Sequence, residues 1–280
     1  MVCSGPRNPL AGHGLLLQRG RQTGQRQDGS GKCHIVLTTD LESAQNLTGL
    51  NTFDYDSEGR VIRYANPYAT TVLTYNGNDC KAVKTRNSDK DTLQTSVFRM
   101  ADGLFVSETF TTPPTHGNGT LTYSLDDRRR LIGEAMTATS SEGDMSMRSS
   151  LRYDKASGLV SEVTTYQAIG ANSRQFLIHP VYSERENPVA LYPEAMQWYS
   201  YNETISVTGR NGYSCAKLID RLNIVETRES GEKRDITLEY SYDFDDSGRL
   251  TAIHQKHIPL DGQGNPEQPL ATVHFTEIKN

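Results

Sequence analysis

Phe53-Asp54-Tyr55-Asp56-Ser57-Glu58-Gly59-Arg60-Val61-Ile62 reads as a complete β-hairpin. Phe53 and Tyr55 stand two apart, so both side chains leave the same face of an extended strand. Asp56 and Ser57 supply short oxygens that can cap free backbone N–H groups, and Gly59 can take the positive φ that a tight connection demands. Val61 and Ile62 open a returning apolar strand. The aromatic pair recurs in a Leu/Tyr form at Leu73-Thr74-Tyr75, Leu121-Thr122-Tyr123, Leu151-Arg152-Tyr153 and Leu238-Glu239-Tyr240. The turn recurs from Asp154 through Gly158 to Val160, and from Asp243 through Asp246-Ser247-Gly248 to Leu250. Weaker copies turn at Asn76-Gly77 and Asp102-Gly103.

Working outward, the anchors Tyr55, Tyr75, Phe98, Tyr123 and Tyr153 are spaced by 20, 23, 25 and 30 residues, the scale of hairpin repeats with insertions in their turns. The pattern predicts an all-β protein: an antiparallel meander of roughly 10–14 strands, forming a large curled sheet or an open barrel or sandwich. It begins near residue 34 and is read as one domain over 34–280. Pro180, Pro188 and Pro193 interrupt it, so an irregular crossing is expected near 169–198. Beyond it, strands are expected at Ile224 to Arg228, Ile236 to Phe244, Leu250 to Ile258 and Leu270 to Ile278. Ser214 is expected to cap one short helix running through Leu222, with Leu218, Ile219 and Leu222 on its inner face.

The chain has 280 residues and a formal charge of −5. Residues 1–32 carry five basic side chains against Asp28, a net +4, which leaves −9 on the remainder. An acidic body repels a phosphate backbone, so nucleic acid is not an expected partner. Rich in Gly and Gln and lacking a hydrophobic period, residues 1–33 read as a disordered basic leader. Its stretch from Leu10 to Leu17 is broken by Gly12, His13 and Gly14, so it does not form the apolar core of an export signal. No stretch approaches the roughly 20 apolar residues of a membrane-crossing helix. Cys3, Cys33, Cys80 and Cys215 are too scattered for a paired zinc spacing or a disulfide framework.

The phrases Tyr55-Asp56 to Gly59-Arg60-Val61 and Tyr242-Asp243 to Gly248-Arg249-Leu250 resemble the tyrosine-aspartate repeat of Rhs-type proteins. In that family each repeat is a hairpin, and successive hairpins wind into a long curling sheet on secreted or surface-attached proteins. Small envelope proteins of gut anaerobes, lipoproteins among the expected forms, carry similar scattered copies. The likeness covers residues 53–62, 151–160 and 240–250, while Asn76 and Ser124 stand where the repeat has Asp. It implies an extracytoplasmic β protein of the cell surface or periplasm with a non-enzymatic or unknown role. Only the hairpin geometry carries over, because a chain with so few copies cannot close the large shell that encloses a toxin in that family.

No catalytic motif is complete. Asp243-x-Asp245-x-Ser247-Gly248 matches the first half of a calcium loop, which makes Asp243, Asp245 and Ser247 the candidate metal ligands and calcium the candidate cofactor. The twelfth position is His254 rather than a bidentate Glu, so an ordinary turn explains the same residues. Asp54-x-Asp56-x-Glu58 and Asn87-Ser88-Asp89-Lys90-Asp91 are similar oxygen-rich turns. His254 and His257, three apart on a strand, point to opposite faces and cannot chelate together. Tyr182, Tyr192, Trp198, Tyr199 and Tyr201 gather beside the irregular crossing, and flat rings with polar tips suit a sugar or peptide platform.

The leading expectation is a non-enzymatic binding or structural module of the bacterial cell envelope, with a glycan, peptide or protein partner. The alternative is a secreted glycan-active hydrolase. It would draw acids from turns such as Asp126-Asp127, or Glu142 with Asp144, set roughly 5–10 Å apart. A third reading has an exposed sheet edge exchanging a strand with a partner.

Overall fold

The computed structural model describes residues 34–39, 52–113, 116–141, 143–187, 216–248, 250–258 and 271–278. These form sixteen strands: β1 (His34–Thr39), β2 (Thr52–Tyr55), β3 (Val61–Ala65), β4 (Ala69–Asn76), β5 (Asp79–Arg86), β6 (Thr92–Ala101), β7 (Leu104–Thr112), β8 (Gly117–Leu125), β9 (Leu131–Ser140), β10 (Gly143–Tyr153), β11 (Val160–Ile169), β12 (Asn172–Glu186), β13 (Lys217–Arg228), β14 (Lys233–Phe244), β15 (Leu250–Ile258) and β16 (Ala271–Ile278). From β2 to β16 each strand pairs antiparallel with the next, and β1 returns to pair with β16. The sheet order is therefore a meander with β1 and β2 at its two edges. Those edges approach within 8 Å between Cα atoms, so the sheet curls back on itself without a β1–β2 ladder among the described residues.

Period-2 alternation fixes which face turns inward. Along β8, Leu121 and Tyr123 are buried while Asn118, Thr120, Thr122 and Ser124 are exposed. Phe53, Tyr55, Leu73, Leu151, Leu238 and Tyr240 are buried as well, so the paired Leu and Tyr side chains line one inward face as expected. Tyr75 and Tyr153 are half-buried against the same cluster. Phe98 and Phe105 stack within it at a centroid distance of 4.4 Å. Burying such a side chain contributes about 1.5–3 kcal/mol, and a one-residue slip would turn a whole strand's apolar set to water.

Two expectations are corrected. The segment from Lys217 through Leu222 is strand β13, not helix. Leu218 and Ile219 are both buried because the register shifts opposite them at Val181/Tyr182, and this doubling of adjacent apolar residues imitates a helical face. The irregular crossing begins later than residue 169, since β12 runs unbroken to Glu186. Pro180, which has no N–H to donate, is accommodated beyond the last β12 residue paired with β11 and next to that register shift. Residues 188–198 lie outside the described residues. The strand count exceeds the expected range, partly because β1 and β12 were not legible as full strands.

Candidate functional site

The hairpin turns at one end of the sheet share a polar construction. In the turn between β2 and β3, Asp56 Oδ1 accepts the N–H groups of Glu58 and Arg60, both at 2.9 Å, and Asp56 Oδ2 accepts Arg60 Nε at 2.6 Å. The Arg60 guanidinium then lies 4.6 Å from the centroid of the Tyr75 ring, and Tyr75 donates its hydroxyl to Val61 O at 3.0 Å. The turn between β8 and β9 repeats every contact. Asp126 Oδ1 accepts from the N–H groups of Arg128 and Arg130, and Asp126 Oδ2 accepts from Arg130 Nε. Arg130 covers Tyr153 at 4.1 Å, and Tyr153 donates to Leu131 O at 2.8 Å.

Other hairpins keep part of the unit. Asp154 Oδ1 accepts from Ala156 N and Ser157 N, Leu159 replaces the arginine, and Tyr182 donates to Val160 O at 3.0 Å. Tyr242 donates to Ile219 O. A repeated unit is thus visible: a carboxylate winds the turn, an arginine bridges from it to an aromatic ring, and the phenol ties the ring to the strand that follows the turn.

The inward face also carries ionisable groups. Glu108 on β7 is 1 % exposed and Glu134 on β9 is 3 % exposed, on either side of buried Tyr123. Tyr123 stands opposite Glu134 in the ladder, and its hydroxyl approaches Glu108 Oε2 at 3.5 Å. Burial, reinforced by the charges of Glu108 and Glu134, pushes the phenol well above its usual range, so Tyr123 stays protonated and can only act as a hydrogen-bonding hydroxyl or a ring. The polar lane continues with Ser149, opposite Glu134, whose hydroxyl lies 3.0 Å from that of Thr165. Glu108, Glu134, Ser149 and Thr165 were not singled out from sequence, although alternation was a usable signal. Glu108 has the parity of Phe110, and Glu134 that of Met136.

The expected site residues fall as follows. Tyr182 sits half-buried on β12 and is tied down by its bond to Val160 O. Tyr192, Trp198, Tyr199 and Tyr201 lie outside the described residues. The proposed calcium oxygens face different partners: Asp243 Oδ2 lies 2.8 Å from His254 Nε2, while Asp245 Oδ1 accepts from Ser247 N and Oγ. No group of three or more metal-ligating side chains occurs among the described residues. Asp126, a candidate acid of the hydrolase reading, is the winding carboxylate of its turn. Cys80, on the inward face of β5, is buried.

Polar and small side chains predominate on the outward face over β7 to β10, while Val72, Val97, Tyr166 and Val181 are exposed there on other strands. On β7, β8 and β9, three consecutive cross-strand rows read Ser107, Thr122 and Ala135; Thr109, Thr120 and Thr137; and Thr111, Asn118 and Thr139. On β10 the outward positions include Asp144, Arg148, Ser150 and Arg152. No helix among the described residues is long and apolar enough to cross a membrane.

The architecture these observations define is a single curled meander with an apolar, partly ionisable inward face and a largely polar outward one that carries exposed Val72, Val97, Tyr166 and Val181. No family model matches the chain, and no curated protein does. Among solved structures it is similar to a porin-like protein from Bacteroides uniformis ATCC 8492, at 20 % identity and a TM-score of 0.58, over 90 % of this chain and 99 % of that one. A porin-like protein from Bacteroides vulgatus ATCC 8482 aligns at 10 % identity and a TM-score of 0.54, over 88 % of this chain and 97 % of that one. The likeness extends to the fold.

Proposed function

We propose that the chain is a non-enzymatic, envelope-associated β module that works in an aqueous compartment outside the cytoplasm and does not form a pore. The fold shared with porin-like Bacteroides proteins supports the envelope assignment, as does the tyrosine-aspartate resemblance. The polarity of the outward face carries the rest. A barrel in lipid needs an apolar outer band, and Arg or Lys at its midplane costs about 2–4 kcal/mol each. Here Lys81, Arg99, Arg148 and Arg152 are exposed on the same polar face as the threonine rows.

A glycan-active hydrolase is the less favoured reading. Of its candidate acids, Asp126 is already engaged by backbone N–H groups and Arg130, and Glu142 lies outside the described residues. A glycan or peptide ligand at the Tyr182 to Tyr201 region remains the finer part of the proposal. Planar-bilayer recording of the purified chain tests the main claim. No conductance steps are expected, and reproducible stepwise conductance would overturn it.

A further inference from the structure

At the end of the sheet away from the Asp–Arg–Tyr turns, three arginines occupy inward-facing positions on three adjacent strands. Arg174 on β12 stands directly opposite Arg228 on β13. Arg234 on β14 stands directly opposite Glu226 on β13. Residues facing across a ladder share a face, as do residues two apart along one strand, so all four side chains belong to one patch. Glu226 is buried, with a side chain only 5 % exposed, and it serves two of the cations at long range. Arg174 Nη1 lies 3.5 Å and Arg228 Nε 3.7 Å from the same oxygen, Glu226 Oε1. Arg228 Nη1 also reaches Glu232 Oε2 at 3.3 Å. Arg234 makes no ion pair among the described residues, and all three arginines are solvent-exposed at the rim.

Like charges directly opposed across a ladder destabilise it, and Glu226 at 3.5–3.7 Å with Glu232 at 3.3 Å from Arg228 set two carboxylates against three guanidiniums, with Arg234 paired to neither. In a chain of net charge −5 this leaves a local excess of one cation at the rim, where an anion is favoured. Planar guanidiniums offer paired N–H groups matched to tetrahedral oxyanions. We propose that Arg174, Arg228 and Arg234 form a binding site for a phosphate group, with Glu226 orienting Arg174 and Arg228 toward it. The inference stands on β12 to β14 and is independent of the envelope assignment.

Two probes separate the possible sources of that group. Inorganic phosphate is titrated calorimetrically, and the chain is sedimented with phosphatidylcholine vesicles with and without phosphatidic acid. Binding to phosphate that also competes with the vesicles supports a free phosphate ligand; binding to the phosphatidic acid vesicles that phosphate does not displace supports a lipid headgroup. Either binding is expected to weaken by about tenfold or more in R174Q/R228Q/R234Q, and measurably in R234Q alone, which removes an exposed side chain and keeps the fold. Failure of both probes to bind, or undiminished binding by R234Q and the triple variant, would overturn the site.

Discussion

The Arg130 guanidinium lies 4.1 Å above the ring of Tyr153, and the Tyr153 hydroxyl donates to the carbonyl of Leu131, the residue that follows Arg130. One arginine and one tyrosine therefore join the turn between β8 and β9 to the end of β10. Arg60 and Tyr75 do the same between the β2–β3 turn and β4. A cation over an aromatic face contributes about 0.5–2 kcal/mol, more as it is desolvated. Arg130→Ala and Tyr153→Leu are each expected to destabilise the fold by about 1–3 kcal/mol. In a double-mutant cycle they should couple by about 0.5–1 kcal/mol. Denaturant unfolding of the four proteins measures this, and additive effects would break the proposed link.

Asp126 gives that turn a pH dependence. Burial opposes ionisation of its carboxyl, but the backbone N–H and guanidinium of Arg130, with the N–H of Arg128, outweigh burial and hold it below the ordinary carboxylate range. Because the folded value is depressed, the stabilisation is fully present above the unfolded value of about 3.9 and is lost as pH falls through the folded value. Asp126→Asn should therefore cost about 1–2 kcal/mol at pH 7 and progressively less below pH 4. Urea midpoints of both proteins across that range check the sign; a difference that grows on acidification contradicts it.

Arg129 occupies the position that Gly59 holds in the matching turn, with φ of 64° against 74°. A side chain in the left-handed region costs about 1–2 kcal/mol that glycine avoids. Arg129 also donates to the carbonyl of Asp102, which offsets part of that strain. Arg129→Gly is expected to raise the melting temperature slightly, and a marked fall would show that the bond to Asp102 outweighs the backbone strain.

Much of the fold was legible because hairpins declare themselves locally. Leu and Tyr two apart, followed by Asp and a glycine bend, specify a face and a turn within about ten residues. Register shifts are not local, and that is why β13, with Leu218 beside Ile219, resembled a helix until its partner β12 supplied the bulge. Pro180 misled for a similar reason: whether a missing N–H matters depends on the neighbouring strand. The turn carboxylates were found, but their partners were not, since Tyr153 lies 23 residues beyond Arg130 and nothing near either residue announces the contact. Glu108 and Glu134 sat in alternating strands as ordinary acids, and only strand parity distinguished them from solvated ones.

The polar outward surface is the claim on which the functional reading rests, and environment-sensitive labels at Thr120 and Thr137 test it most directly. Both threonines are exposed on the outward face, directly opposite each other across β8 and β9. Single Thr120→Cys and Thr137→Cys variants carrying a nitroxide are mixed with phosphatidylcholine vesicles, and collision with a water-soluble relaxation agent is compared with collision with lipid-soluble oxygen. The account predicts water-exposed labels at both positions with vesicles present. Labels shielded from the water-soluble agent and exposed to oxygen would place this face in lipid and contradict the account.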